Sequence, residues 1–384
     1  MAQEAARKRK VVEGATTLPG RYYSDQEIFR QEVDKLFQSM WLCAGRVDEI
    51  PNPGDYLVRE IGCESIFVVR DEKDKIHAFY NNCRHRGTRL CLEESGSVKG
   101  SFQCQYHAWT YGLDGQLLGA PHMNEVPTFR KEDWPLKSVG CEVWDGHIFI
   151  NLDESRAPLS EQLGDMPQRF ARYHMGDLRR ARRIEYDVAA NWKLIVENYS
   201  ECYHCPLIHP DLNRVTHYLS GHNDVIAPTY NGGYQIIGEQ YCTLTVEGKK
   251  TRPYFRDIRK EDQNRVYYYE VYPNLLLSLH PDYMMTHTAW PKSAALTHVV
   301  CEWHFEPEVM ARPGFDPSDA VGFWDMTNRQ DWRACEISQL GVQSRGYTPG
   351  PFSNQEELIY NFDRFVLDRL EGPAVEARQV ARAR

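Results

Sequence analysis

Two mixed pairs of metal-binding side chains constrain this chain more than any other feature. Cys83-Arg84-His85 and Cys104-Gln105-Tyr106-His107 each put one thiol and one imidazole on a short loop, with eighteen residues between the pairs. Four such ligands meet only if the fold brings the two loops together. Two thiolates and two imidazoles could hold zinc tetrahedrally. The usual zinc-finger order, however, places both cysteines on one side and both histidines on the other. Mixing one of each in every pair suits a two-iron cluster, in which one iron takes the cysteines and the other the histidines. Zinc is the alternative.

The flanking residues fit a cluster. Gly87 lets the first loop approach closely. His107 runs into Ala-Trp-Thr-Tyr, an aromatic shield, and then into Gly112-Leu-Asp-Gly115, a hairpin turn. Cys91 follows the first pair, but Gln105 stands in the second pair with no spare cysteine, so no disulfide brace is expected. An unbraced cluster with few donors to its sulfurs belongs at the low end of its potential range.

Short alternating strands surround these loops. DYLVREI, SIFVVRD, KIHAFYNN and GHIFINL are separated by turn-formers such as Asn52-Pro53-Gly54. They predict a small antiparallel β domain over 41–157, inserted after an N-terminal segment, 1–40. That segment carries a helix from Asp25 to Gln38, apolar at Phe29, Val33 and Phe37, which is expected to pack with the later domain. From 158 to 384 the character changes. A helix is expected at 191–205, strands at 233–247, 265–280, 283–290 and 296–305, and helices at 316–340 and 354–371. The first of these closing helices is capped near Asp316-Pro317-Ser318. Strands followed by helices give an α+β class, an antiparallel sheet flanked by helices.

A second metal site is written into Asn191 to Pro210. Glu197, Glu201 and His204 are spaced i, i+4 and i+7, which puts them on one face of a helix. Pro206 is expected to stop that helix just after His204 and let His209 turn back to the same point. Two histidines leave room for a carboxylate and open positions, the facial arrangement of iron(II) oxygenases. Asp331, Asp325 and Glu336 are the candidate carboxylates by spacing. Cys202 and Cys205 read as buried thiols that do not ligate.

Composition excludes several classes. The 384 residues carry 45 basic and 54 acidic side chains, a net charge of −9, so there is no global basic field for nucleic acid. No apolar run reaches the roughly 18 to 20 residues of a membrane span. The start lacks the apolar core of a secretory signal. Eleven cysteines, an odd number and mostly isolated, point to a reducing cytoplasm. Lys8, Arg9, Lys10 and the closing ARQVARAR read as solvated termini.

Together the two motifs resemble the α subunit of Rieske non-heme iron oxygenases over nearly the whole chain. Cys83, His85, Cys104 and His107 match that family's Cys-x-His…Cys-x-x-His. Glu197, Glu201, His204 and His209 match its acidic-x3-acidic-x2-His-x4-His. The resemblance implies a [2Fe–2S] cluster, a mononuclear Fe(II) on His204, His209 and Asp331, and O2 as co-substrate. It also implies that Glu201, where the family usually has Asp, links His107 of one subunit to His204 of the next in a homo-oligomer, commonly a trimer. A separate flavin and iron–sulfur reductase fed by NAD(P)H is implied, since the chain has no nucleotide fingerprint and no plant-ferredoxin cysteine run. The run Asn198 to Pro206 and the segment Pro273 to Tyr283 are most similar to the glycine-betaine, stachydrine and carnitine monooxygenase branch. That similarity implies hydroxylation of a small molecule, N-demethylation of a quaternary or tertiary amine. Oxidation of an aromatic ring is the alternative, and an electron carrier without oxygenase activity is the alternative of another class. Tyr199, near the iron ligands, is the named candidate for substrate contact.

Overall fold

The computed structural model describes residues 11–372, so Lys8, Arg9, Lys10 and ARQVARAR lie outside the described residues. The chain forms two units: Phe37–Glu161, and a second unit in which residues up to Leu36 join those from Gln162 onward.

The Phe37–Glu161 unit is built on an antiparallel sheet. Its strands are β1 (Leu42–Arg46), β2 (Asp55–Ile61), β3 (Glu64–Arg70), β4 (Ile76–Tyr80) and β5 (Ser95–Ser97), and after a separate three-stranded sheet of β6 (Ser101–Gln103), β7 (Thr110–Gly112) and β8 (Leu117–Gly119), β9 (Ser138–Trp144) and β10 (His147–Asn151). The larger sheet runs β1-β10-β9-β4-β3-β2-β5. Ile66 to Val69 in β3 are all buried, which is why that run shows no polar alternation. Asp145-Gly146 closes the β9–β10 hairpin with φ of 43° and 82°, the left-handed pair that a two-residue turn of this twist requires.

The other unit holds a seven-stranded antiparallel sheet ordered β11-β17-β16-β15-β14-β13-β12. Its strands are β11 (Arg179–Val188), β12 (His222–Ile226), β13 (Tyr230–Ile236), β14 (Arg265–Val271), β15 (Leu275–Leu279), β16 (Met284–Ser293) and β17 (Leu296–Phe305). The α+β class stands, with corrections inside it. The expected strand at 265–280 is a hairpin, broken at Tyr272-Pro273-Asn274. The run expected as strand over 233–247 leaves the sheet after Ile236. β11 has no counterpart among the sequence expectations. Its arginines hide an edge strand that pairs with β17 along its length and buries only Tyr186 and Val188.

Four helices carry the functional residues or brace them. Asp25 caps Gln26–Glu32, accepting from the backbone N–H of Glu27. The chain then widens into a looser turn over Val33–Phe37 instead of continuing as α-helix to Gln38. Asn191 caps Trp192–Tyr199, whose buried Lys193 forms an ion pair with buried Glu32. Ser318–Val342 turns a stripe inward at Ala320, Phe323, Trp324, Thr327, Asn328, Trp332 and Cys335. Asp331 lies within that stripe. Glu357–Glu371 buries Leu358, Phe362, Phe365 and Leu370 on one face.

Candidate active site

The first pair of loops repeats one backbone design. The N–H of Cys83 donates to Thr88 O and the N–H of Gly87 to Cys83 O; the N–H of Cys104 donates to Trp109 O and that of Ala108 to Cys104 O. The residue four beyond each cysteine is left-handed, Gly87 at φ 75° and Ala108 at φ 55°. That conformation is the demand on Gly87 that the structure displays, because an added Cβ would meet no protein atom within 4 Å. Cys83 and Cys104 are buried in a core with Phe67, Phe79, Phe102, Trp109 and Tyr111. The His85 and His107 rings lie 4.7 Å apart, and His85 stacks on Trp109.

These donors suit a cluster better than one zinc ion. Among the described residues, the group of three or more His, Cys, Asp or Glu donors close enough to share a single ion is His204, His209 and Asp331. Cys83, His85, Cys104 and His107 form no such group, and two irons joined by sulfides are what two separated pairs would hold. Cys91 is a free buried thiol that burial pushes up to about 12. Sequence reasoning missed one donor. Arg84 N–H donates to Tyr111 Oη at 3.0 Å, which leaves the phenol proton for Cys83 Sγ at 3.4 Å. A hydrogen bond to a ligating sulfur raises a cluster's potential. Tyr111→Phe is therefore expected to lower it by on the order of 50 mV, a bond of about 1 kcal/mol on a one-electron scale. An unchanged midpoint in a redox titration would remove that role.

The second site differs from its expected local structure. Helix 192–199 ends at Tyr199 with Ser200 as its cap, because Ser200 N–H closes on Val196 and Glu197 and the chain then leaves the helix. Glu197, Glu201 and His204 therefore do not share a helix face. Glu197 turns to accept from Tyr23 Oη at 2.9 Å. Pro206 does not end the helix; it opens the next short one, Cys205–Ile208, where its missing N–H costs nothing. Cys202 and Cys205 are not separate thiols but are joined in a disulfide across this turn.

His204, His209 and Asp331 nevertheless converge. His204 Nε2 lies 3.1 Å from His209 Nε2, and Asp331 Oδ1 lies 3.3 Å from the first and 2.7 Å from the second. Metal bonds of about 2.1 Å at right angles put donor atoms about 3 Å apart, so this triangle has the size of one octahedral face. The other ring nitrogens fix the tautomers. His204 Nδ1–H donates to Glu201 Oε1 at 2.6 Å and His209 Nδ1–H to Gln330 Oε1 at 2.7 Å, which aims both Nε2 atoms at Asp331. Gln330 carries no sequence signal beyond its place beside Asp331. Burial would lower the His204 imidazolium, but Asp331 and Glu201 outweigh it and push its pKa to about 10. Burial would raise Asp331, but His204 and His209 hold it below the ordinary carboxylate range. The three side chains thus stabilise positive charge where they meet. Asp325 and Glu336 are engaged elsewhere, Asp325 by Tyr186 Oη and Arg329, Glu336 by the N–H of Ala189.

A cavity of roughly 900 Å³, its mouth included, contains this triad. Aromatic rings line it in an edge-to-face chain. Trp332 meets His287 at 6.0 Å, His287 meets Tyr199 at 6.2 Å, Tyr199 meets Tyr268 at 6.0 Å, and Tyr268 meets Trp324 at 6.3 Å. Tyr199 commits its hydroxyl to Leu277 O and Ser278 Oγ, both at 2.9 Å, and contributes its ring. β14 alternates, so Tyr268 and Glu270 share the face that lines the cavity. Glu270 is 2% exposed, and its Oε2 has no partner. Burial pushes it up to about 8, opposed by the nearby Ser200 hydroxyl. Sequence reasoning missed Glu270, although an acid amid Val266-Tyr-Tyr-Tyr and Val271-Tyr was the available signal.

Comparison with known proteins covers the segments that hold both sites. Residues 40–130 match the Rieske [2Fe-2S] domain, and residues 175–372 match the ring hydroxylating alpha subunit (catalytic domain). The chain is 32% identical to the glycine betaine monooxygenase oxygenase subunit of Pseudomonas aeruginosa (strain UCBPP-PA14), over 95% of this chain and 92% of that one. It is 30% identical to the carnitine monooxygenase oxygenase subunit of Acinetobacter pittii (strain PHEA-2), over 87% of each. The solved quaternary ammonium Rieske monooxygenase CntA in complex with L-carnitine superposes with a TM-score of 0.78 at 26% identity, over 93% of this chain and 96% of that one. A catalytic-domain match over the triad excludes a chain that only carries electrons. The two matched domains imply a [2Fe–2S] cluster and a mononuclear iron. With both motifs, both domains and relatives along nearly its full length, the chain belongs to the Rieske non-heme iron oxygenases, as a ring-hydroxylating-type α subunit.

Proposed function

We propose that this oxygenase hydroxylates an N-methyl group of a cationic amine, quaternary or tertiary, and so removes it as formaldehyde. The observation that carries this reading is Glu270, whose buried carboxylate has an unpartnered oxygen among the rings of the cavity that holds the triad. A permanent cation is attracted to ring faces and to a desolvated carboxylate. The names of the relatives, which act on glycine betaine and carnitine, support the same class.

The reaction balances with two external electrons. One N-methylammonium cation, one O2, two electrons and two protons give one N-hydroxymethylammonium cation and one water. One methyl C–H bond becomes C–OH, and the second oxygen atom leaves as the water. The carbinolamine then breaks its C–N bond and expels formaldehyde, a proton and the neutral amine. Cys83, His85, Cys104 and His107 would hold the cluster that receives the electrons. His204, His209 and Asp331 would hold the iron, which when bound supplies the O2 chemistry. Glu201 aims His204 through Nδ1 and is the proposed link to His107 of a neighbouring subunit in a head-to-tail ring, a trimer. Glu270 and the rings of Tyr199 and Tyr268 orient the ammonium and exclude water. A separate NAD(P)H-dependent flavin and iron–sulfur reductase supplies the electrons. No described helix is long and apolar enough to cross a membrane.

One assay panel tests this. Methylated amines and aromatics, with a generic reductase, are expected to give substrate-dependent O2 uptake with formaldehyde from the amines alone. A pH signature accompanies it. The cation needs ionised Glu270, so below about pH 8 a proton must leave on binding. Affinity then weakens by up to about tenfold per pH unit on acidification and levels off above pH 8. Among its neighbours, Tyr199, Tyr268 and Tyr272 are pushed up by burial, and burial keeps His287 down at about 4. Hydroxylation of an aromatic with no formaldehyde from any methylamine would sink the reading.

A further inference from the structure

We infer that the substrate is a net cation, a methylated amine whose tail bears no carboxylate, unlike the betaine and carnitine that name its relatives. The inference rests on the amine reading above and narrows it.

The residues lining the cavity set its charge. Among the described lining residues there is no lysine or arginine, while Glu201, Glu270 and Asp331 supply three carboxylates. The bases are histidines. His204 and His209 turn to Asp331. His287 directs Nε2 to Asn328 Oδ1 at 3.2 Å, and its Nδ1 has no partner. Burial keeps that ring neutral, so Nδ1 presents a lone pair and not a charge. His222 stacks on Tyr234, its ring 5.0 Å away. Arg265 lies over the ring of Tyr234 but is not a lining residue.

Three of the five unpartnered buried atoms of the lining point the same way. Glu270 Oε2, Gln235 Oε1 and His287 Nδ1 accept; Tyr268 Oη and Trp332 Nε1 can donate. A carboxylate taken from water needs a cation or several charge-assisted donors. Here a zwitterion's carboxylate would find no lysine or arginine among the described lining residues to pair with. A hydroxyl or amide tail, by contrast, gives a hydrogen to Gln235 or His287, and the ammonium meets Glu270. The favoured class is thus a trimethyl- or dimethylammonium with an alcohol, amide or apolar tail.

Binding to the iron-loaded holoenzyme, kept anaerobic, decides between the classes. The probes are choline, glycine betaine, L-carnitine and 3,3-dimethylbutanol, the neutral isostere of choline, read by calorimetry and by tryptophan fluorescence. Choline is expected to bind at least about tenfold more tightly than each of the others. Glu270→Gln, checked for unchanged iron and sulfide content, is expected to bring choline within about threefold of the neutral alcohol. A zwitterion that binds wild type as tightly as choline overturns this inference and leaves the amine reading standing. A neutral alcohol that binds wild type as tightly as choline overturns both. The wild-type comparison alone is decisive, even if the variant does not fold.

Discussion

Glu201→Gln is expected to cut steady-state O2 uptake by at least about 100-fold while cluster and iron stay in place. Glu201 does two things with its two oxygens. Oε1 accepts from His204 Nδ1 at 2.6 Å, and Oε2 accepts from the backbone N–H groups of Tyr203 and His204. An amide has one acceptor, so glutamine keeps either the loop or the aim of the imidazole and turns an NH2 against the other donor. It also removes the charge that stabilises a proton on His204. In the proposed link between subunits, that charge lies on the path of the electron. Single-turnover reoxidation of the reduced cluster, with iron and sulfide counted beforehand, is the measurement. Glu201→Asp keeps the charge on a shorter arm and is expected to recover part of the rate. Full activity in the glutamine variant sinks both roles.

Asp331→Asn is expected to abolish hydroxylation and release the mononuclear iron. Asp331 Oδ1 touches both His204 Nε2 and His209 Nε2, and it is the anion of that three-residue group. A neutral amide offers a weaker ligand and cannot balance a dication in a buried setting. Metal and sulfide analysis should therefore fall from three irons per chain to two, with two acid-labile sulfides in both proteins. Retention of all three irons would remove Asp331 from the ligand set. Gln330, which holds His209 through Nδ1, is unaffected by this change, so a loss would not be a loss of ring orientation.

Legibility followed from how local each signal is. The paired Cys and His residues sit within short loops closed by their own backbone, so spacing nearly determines their geometry. The hairpin strands β2, β3, β4 and β10 alternate or run apolar within single segments, and they were readable for that reason. Asp331 was harder by spacing alone, yet it falls in the inward stripe of its helix between Thr327 and Cys335. Glu201, by contrast, looked helical because i and i+4 arithmetic assumes that the helix continues. It ends at Tyr199, and Glu201 caps its own loop instead. Glu270 and Gln330 depend on partners far along the chain, on the packing of β14 against helix 192–199 and on the return of His209 to helix 318–342. No local pattern encodes those. The arginine-rich β11 was lost because an edge strand need bury only one short stretch of one face.

The ion pair between Lys193 and Glu32 has a consequence in time. Both side chains are fully buried, and 161 residues separate them. Glu32 also accepts from Trp192 Nε1 at 2.8 Å. A carboxylate left alone in that setting is strongly disfavoured. During synthesis Glu32 emerges early and its partners come only after the whole of Phe37–Glu161 has been made. Domains fold as units as they leave the ribosome. The whole of that unit is therefore made before the opening helix meets the residues that enclose Glu32. The opening helix therefore stays without its buried ion pair until the chain has been made past Lys193.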